Sequence, residues 1–256
     1  MSHKSLATCI LLLGLLLGAA SSIHADTIAI TSVSLSNLQI VPTSGTVVLS
    51  APQAGPQTSA GAVATNNFDD ESGSQQEGPT HSQANASVTF ANSSAASDFP
   101  TLSLNASNNV TLSGCTCSGE TEAVAFIRAS FVITGGTGNV DVTISGLLHT
   151  VQTLMTDQFS QFAVSRARFN LQVSDGNVFS FDSNVRIGPN DSNSMDTQTQ
   201  LSQVLTLVFG QQYNLLVFVG ATSEAAETIP EPATVVMFVS GLGFMAGLLK
   251  KRRTGL

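Results

Sequence analysis

The stretch Arg168-Phe-Asn-Leu-Gln-Val173 alternates without a break, with Phe169, Leu171 and Val173 on one side and Arg168, Asn170 and Gln172 on the other. Side chains of an extended chain point to opposite faces with a period of two, so this segment predicts a strand with one core face and one water face. The same period runs through Asn139-Val-Asp-Val-Thr-Ile144, and residues 123–134, 176–187 and 201–209 continue it. Gly135-Gly136-Thr137-Gly138 and Asp175-Gly176 read as turns between strands. Leu205-Thr-Leu-Val-Phe-Gly210 and Tyr213-Asn-Leu-Leu-Val-Phe-Val219, joined through Gly210-Gln211-Gln212, read as a hairpin, and residues 26–50 hold further short strands. Short strands, regular turns and almost no helical period predict an all-β fold over residues 26–220, an antiparallel β-sandwich of jelly-roll type. Residues 52–83 are rich in Gly, Ser, Gln, Asn and Pro and are expected to form a long mobile loop. Residues 151–162 fit either a helix or a loop over the sheet, and residues 221–229 read as a spacer.

The central two hundred or so residues are enough for one domain with a sizeable core. Their charge is one-sided. Sixteen acids lie between Asp26 and Ile229 against four arginines (Arg128, Arg166, Arg168 and Arg186) and no lysine, a formal charge of −12. Such a surface repels nucleic acid and anionic lipid, so no nucleic-acid partner is expected. The simplest reading of the acids is solubility outside the cell; calcium binding or attachment to a cationic matrix is the sharper one.

Both ends of the chain carry apolar runs. Lys4 precedes a leucine-rich segment, residues 6–18, and Ile23-His24-Ala25 offers a small residue before Asp26, so residues 1–25 read as a cleaved secretory signal peptide. Cys9 lies inside that apolar run, too early for a lipoprotein cysteine. Toward the other end, Pro230-Glu231-Pro232 stands before an uncharged apolar run, residues 233–249, which stops at Lys250-Lys251-Arg252-Arg253. At about 1.5 Å per residue the run is at the short end of what crosses a bilayer core of about 30 Å. The basic cluster favours a cytoplasmic end and places the preceding domain outside. The two prolines leave the tripeptide extended at the membrane surface.

A proline-acid-proline tripeptide, a short span and a basic stop in that order resemble the PEP-CTERM sorting signal. The resemblance covers residues 230–256 alone and carries no information on the fold of the rest. It implies recognition of Pro230, Glu231 and Pro232 by exosortase, a membrane-embedded cysteine transpeptidase that cuts near the tripeptide. It also implies a Gram-negative host that makes extracellular polysaccharide. Residues 233–249 would be the transmembrane helix and Lys250, Lys251, Arg252 and Arg253 the cytoplasmic stop.

Cys115 and Cys117 remain after signal removal. In a straight strand their Cα atoms would sit near the upper limit for a disulfide, at about 6.5 Å, so a bridge needs a turn, which Gly114 and Ser118-Gly119 permit. An intermolecular link and free thiols are the competing readings. A zinc site would need two more ligands, and the exported histidines are His81, in the expected loop, and His149.

Other motifs are weak. Gly241-Leu-Gly243-Phe-Met-Ala246 lies in membrane sequence rather than after a strand. Gly135 to Asp141 approaches a calcium repeat with its aspartate one place late. Asp191-Ser-Asn-Ser-Met-Asp196 begins like an EF-hand loop but puts Met195 where an oxygen ligand belongs. Asp69-Asp70-Glu71 is a compact acidic cluster, and Asn85, Asn92, Asn105, Asn109 and Asn190 open Asn-x-Ser/Thr triplets.

No Gly-x-Ser-x-Gly or His-Glu-x-x-His occurs, so no catalytic residue, metal ligand or cofactor is assigned. Sugar binding commonly uses aromatic faces, yet the chain has no Trp and one Tyr, and its Phe residues fall mainly within apolar strand patterns. The expectation is a non-enzymatic surface or extracellular-matrix protein. It begins as a precursor anchored in the inner membrane and ends at the cell surface or outside. A polysaccharide-binding or adhesion module, calcium-dependent in one version, ranks second, and an exported hydrolase third.

Overall fold

Alternating burial runs through most strands of the computed structural model, which describes residues 26–51, 57–68, 70–113, 115, 117–157, 161–174 and 176–227. In chain order the strands are β1 (Asp26–Pro42), β2 (Thr46–Ser50), β3 (Thr58–Asn66), β4 (Glu71–Gly78), β5 (His81–Val88), β6 (Ala91–Asp98), β7 (Ser103–Ser113), β8 (Cys117–Thr134), β9 (Asn139–Thr156), β10 (Phe162–Val173), β11 (Gly176–Ile187), β12 (Asp191–Val208) and β13 (Gln212–Glu227). No helix occurs among the described residues. One sheet has the order β12-β9-β1-β7-β6-β5. The other has the order β11-β10-β13-β8-β3-β4, with β2 also beside β8. The strand pairs are antiparallel, and the two sheets stack face to face as a β-sandwich. These strands lie in one compact unit, Ala25–Glu227.

β10 behaves as its period demands: Phe169, Leu171 and Val173 are buried, and Arg168, Asn170 and Gln172 are half-exposed. The core is unusual in carrying a polar row across its middle. In the six-stranded sheet Gln152, Thr31, Asn108 and Ser93 stand side by side on β9, β1, β7 and β6. Opposite them Ser165, Ser223 and Thr121 stand side by side on β10, β13 and β8. Hydrogen bonds join the rows. Thr31 Oγ1 lies 2.6 Å from Ser165 Oγ and 2.7 Å from Ser223 Oγ. Gln152 Nε2 donates to Ser165 Oγ at 2.9 Å, Asn108 Nδ2 to the Ala221 carbonyl at 2.6 Å, and Ser93 Oγ to the Glu122 carbonyl at 2.6 Å. Buried polar groups are costly unless paired, so the row fixes one register between the sheets. Apolar layers flank it, and the largest buried side chains include Phe131, Phe169, Ile144 and Leu154.

The long mobile loop expected at 52–83 is not what its described residues form. They form β3, β4 and the start of β5, which places His81 on a strand as well. These strands are polar because their core face is built from small groups: Thr58, Ala60, Ala62 and Ala64 on β3 and Ser82, Ala84 and Ala86 on β5 are buried. The sheets approach closely there, and Ala and Ser fill the gap. The spacer expected at 221–229 is strand as far as Glu227, with Ala221, Ser223, Ala225 and Glu227 buried, so the β domain extends beyond residue 220. Residues 151–156 finish β9 and Phe162 begins β10, while residues 26–50 hold one long and one short strand.

The hairpin expected at Gly210 is also replaced. β12 pairs with β9 in one sheet, and β13 pairs with β8 and β10 in the other. The intervening turn crosses between sheets because its donors go elsewhere: Phe209 N–H donates to the Gly138 carbonyl at 3.0 Å and Gly210 N–H to the Ile133 carbonyl at 2.9 Å. Gly138 lies in the β8–β9 crossover and Ile133 at the end of β8 just before it. The Phe209 ring lies over Gly136, where any Cβ would collide with it, and Val208 N–H donates to Tyr213 Oη at 2.7 Å. Residues 1–25 and 228–256, with the expected signal peptide, sorting tripeptide, membrane span and basic stop, lie outside the described residues.

Candidate ligand-binding face

The two outer faces differ in chemistry. On the six-stranded sheet the outer face is chiefly Ser, Thr, Asn and Gln, and it carries Asn85, Asn92, Asn105 and Asn109 of the glycosylation-like triplets. On the seven-stranded sheet the outer face gathers the domain's four arginines. Arg166 and Arg168 project from β10 opposite the buried Ala167 and Phe169, Arg186 pairs with Val164 across β11, and Arg128 pairs with Leu216 across β13. Phe126 and Phe218 are a direct cross-strand pair on the same face. Both lie within apolar strand patterns, as expected of the Phe residues, yet they face outward. In β8 the core side is Ala123, Ala125 and Ile127, and the larger Val124 and Phe126 face outward.

Arg128, Phe126, Leu216, Phe218, Arg168 and Asp182 line a shallow groove of about 350 Å³. Gly220 lies beside two of these residues. It lies directly opposite Arg168, and a Cβ there would sit 2.9 Å from the Phe218 ring and 3.4 Å from Arg168 Nε. Without that Cβ the Arg168 guanidinium lies 5.7 Å from the centre of Phe218. Arg128 lies 4.6 Å from the centre of Phe126, and Arg186 lies 5.0 Å from that of Phe162, the arrangement that cation–π attraction favours. Arg168 Nη2 reaches Glu122 Oε1 at 3.1 Å, and beyond Glu122 a second depression of about 420 Å³ is lined by Gly61, Val63, Gly73, Gln75 and Val124.

Arg166 grips Asp182 with two parallel bonds, Nε to Oδ1 at 3.0 Å and Nη2 to Oδ2 at 2.6 Å. The bonded guanidinium holds the Asp182 carboxyl below the ordinary aspartate range and raises Arg166 in turn. Arg128 and Arg186 have no carboxylate partner among the described residues. The face therefore offers flat apolar rings beside forked donors and acceptors. Such a surface can stack on a ring and hydrogen-bond its substituents.

The other candidates fall elsewhere. Cys115 and Cys117 are joined by a disulfide with Cα atoms 5.3 Å apart, closer than a straight strand would place them. His149 Nε2 lies 2.7 Å from Asp196 Oδ1 on the outer face of the six-stranded sheet, away from the groove, and no serine hydroxyl bonds to it among the described residues. Asp191 and Asp196 lie five residues apart on one strand and so point to opposite faces. Asp141 Oδ1 accepts a bond from Thr206 Oγ1 at 2.8 Å. Among the described residues no three His, Cys, Asp or Glu side chains gather as a metal site, and no helix is long and apolar enough to cross a membrane. Asp69 and the sorting residues Pro230, Glu231, Pro232, Lys250, Lys251, Arg252 and Arg253 lie outside the described residues. No family model matches the chain, and no curated protein matches it.

Proposed function

We propose that the chain is an exported, non-enzymatic surface or extracellular-matrix protein of the PEP-CTERM type, delivered as a membrane-anchored precursor and processed by exosortase in a Gram-negative host. The observation that carries this reading is the order Pro230-Glu231-Pro232, apolar 233–249, Lys250 to Arg253. The secretory pattern at residues 1–25 supports it, with a signal helix at one end and a transmembrane helix at the other. Repeated crossing of the chain between sheets, at β8–β9, β11–β12 and β12–β13, supports the jelly-roll form of the sandwich. The test is localisation: removing exosortase, or replacing Pro230, Glu231 and Pro232 by Ala, is expected to hold the protein in the inner membrane. Arrival at the surface regardless would sink the reading.

A second reading, an extracellular polysaccharide-binding module, draws support from the groove of Phe126, Phe218 and Arg168. Loss of a hydroxyl-rich glycan's binding by about tenfold or more is expected on Phe218→Ala or Arg168→Ala, read by calorimetry. Binding unchanged in both variants would remove the groove from consideration. Among the described residues no comparable arrangement supports an exported hydrolase.

A further inference from the structure

The six-stranded sheet ends in β12, an edge unlike the others. β12 runs 18 residues against β9 in unbroken register, from Asp191↔Thr156 to Val208↔Asn139, and no described strand lies on its other side. Only Leu201 and Leu207 are buried along it, so backbone pairing to β9 is its main attachment. Proteins blunt such edges with proline, lysine, a bulge or a covering segment. Between Asp191 and Val208 there is no proline or lysine, the register has no shift, and no described element covers the strand. The opposite end of the sandwich is guarded. There Gln83 N–H donates to Gln76 Oε1 at 2.6 Å and Ser87 N–H to Ser72 Oγ at 3.3 Å, so side chains of β4 occupy backbone donors of β5.

We propose that β12 pairs antiparallel with β12 of a second copy of this chain, about a two-fold axis near Thr199, joining two six-stranded sheets into one. The placement of charge selects this partner and this direction. Asp191 and Asp196 are the strand's only charged residues, and both lie in its first third. Parallel pairing would set each acid beside its twin. Antiparallel pairing at Thr199 sets Asp196 opposite Ser202 and Asp191 opposite Leu207, so no like charges meet. The uncharged centre, Thr197-Gln198-Thr199-Gln200-Leu201, then pairs with itself. Gln198 lies opposite Gln200 on the outer face, where amides bond across a ladder as they do in stacked strands. The contact uses the same edge on both copies, so it closes at two. A formal charge of −12 on each domain opposes the approach, and salt screens it. Association therefore strengthens as ionic strength rises.

The test uses the full chain in contrast-matched detergent, with mass read by sedimentation equilibrium. The wild type is expected at twice the monomer mass, with the dimer fraction rising with salt. A Thr199→Cys variant should cross-link to itself on mild oxidation, whereas Ser192→Cys, remote from its own copy in this register, should not. Gln198→Lys with Gln200→Lys puts like charges directly opposite and should give monomers with an unchanged circular dichroism spectrum. Mixing that variant with Gln198→Asp/Gln200→Asp should restore the dimer. A monomeric wild type at every salt concentration, equal cross-linking at residues 192 and 199, or a dimer indifferent to both lysines would each overturn the proposal.

Discussion

Gly136 decides locally how two strands part, because the Phe209 ring occupies the space where its side chain would be. Gly136→Val is expected to destabilise the fold by about 1–3 kcal/mol through overpacking, read as a lowered midpoint in urea. Asp182 gives a pH signature. Its folded pKa is depressed by Arg166, so its contribution to stability is present above the unfolded aspartate pKa and is lost as pH falls through the folded value. Asp182→Asn should lower stability at neutral pH and flatten the acid limb of the stability profile, and an unchanged limb would assign acid sensitivity elsewhere. Both partners are well exposed, which keeps the effect modest. At this scale the sequence was legible wherever large residues sat on one side only, as in Phe169, Leu171 and Val173. It was silent on the faces of Phe126 and Phe218. Alternation defines two faces, and residue size would have named the wrong one as core, because the buried side of β8 is partly alanine.

The elements are held in register by the polar row as much as by apolar contact. Thr31→Val keeps the shape but leaves Ser165 and Ser223 without the hydroxyl they meet at 2.6 and 2.7 Å, and is expected to cost about 1–3 kcal/mol. Adding Ser165→Ala and Ser223→Ala to Thr31→Val should recover part of that loss in the same unfolding measurement, because buried groups are no longer left unpaired. Among the strands with branched or aromatic residues, β11 could be read from sequence at its bounds, and β8, β9 and β10 only in part, since the periods at 123–134, 139–144 and 168–173 leave out 117–122, 145–156 and 162–167. β3, β4 and β5 could not, since Ala, Ser, Gly and Gln carry little apolar signal even when period two is intact. Pairing partners were less legible still. The segments on either side of Gly210 look like a hairpin, but they pair in different sheets, and Phe209 and Gly210 bond to Gly138 of the β8–β9 crossover and to Ile133 at the end of β8.

For the whole molecule, charge and position carry the functional reading. An acidic sandwich with all four of its arginines on one outer face suits a protein that stays soluble outside the cell and makes its contacts through one side. The proposed export and sorting rest on the terminal segments, because membrane spans and processing signals are written in local sequence. The groove was not legible in the sequence, because it is assembled from β8, β10, β11 and β13 across long sequence separations. The most direct test is the intact mass of the protein recovered from its native surface or medium, with and without exosortase in the host. A chain that begins at Asp26 and ends near Pro232 only when exosortase is present is the expected result, and added mass would identify the attachment. A chain that keeps its tail through Leu256 in both hosts would contradict the sorting function and leave residues 233–249 as a permanent anchor.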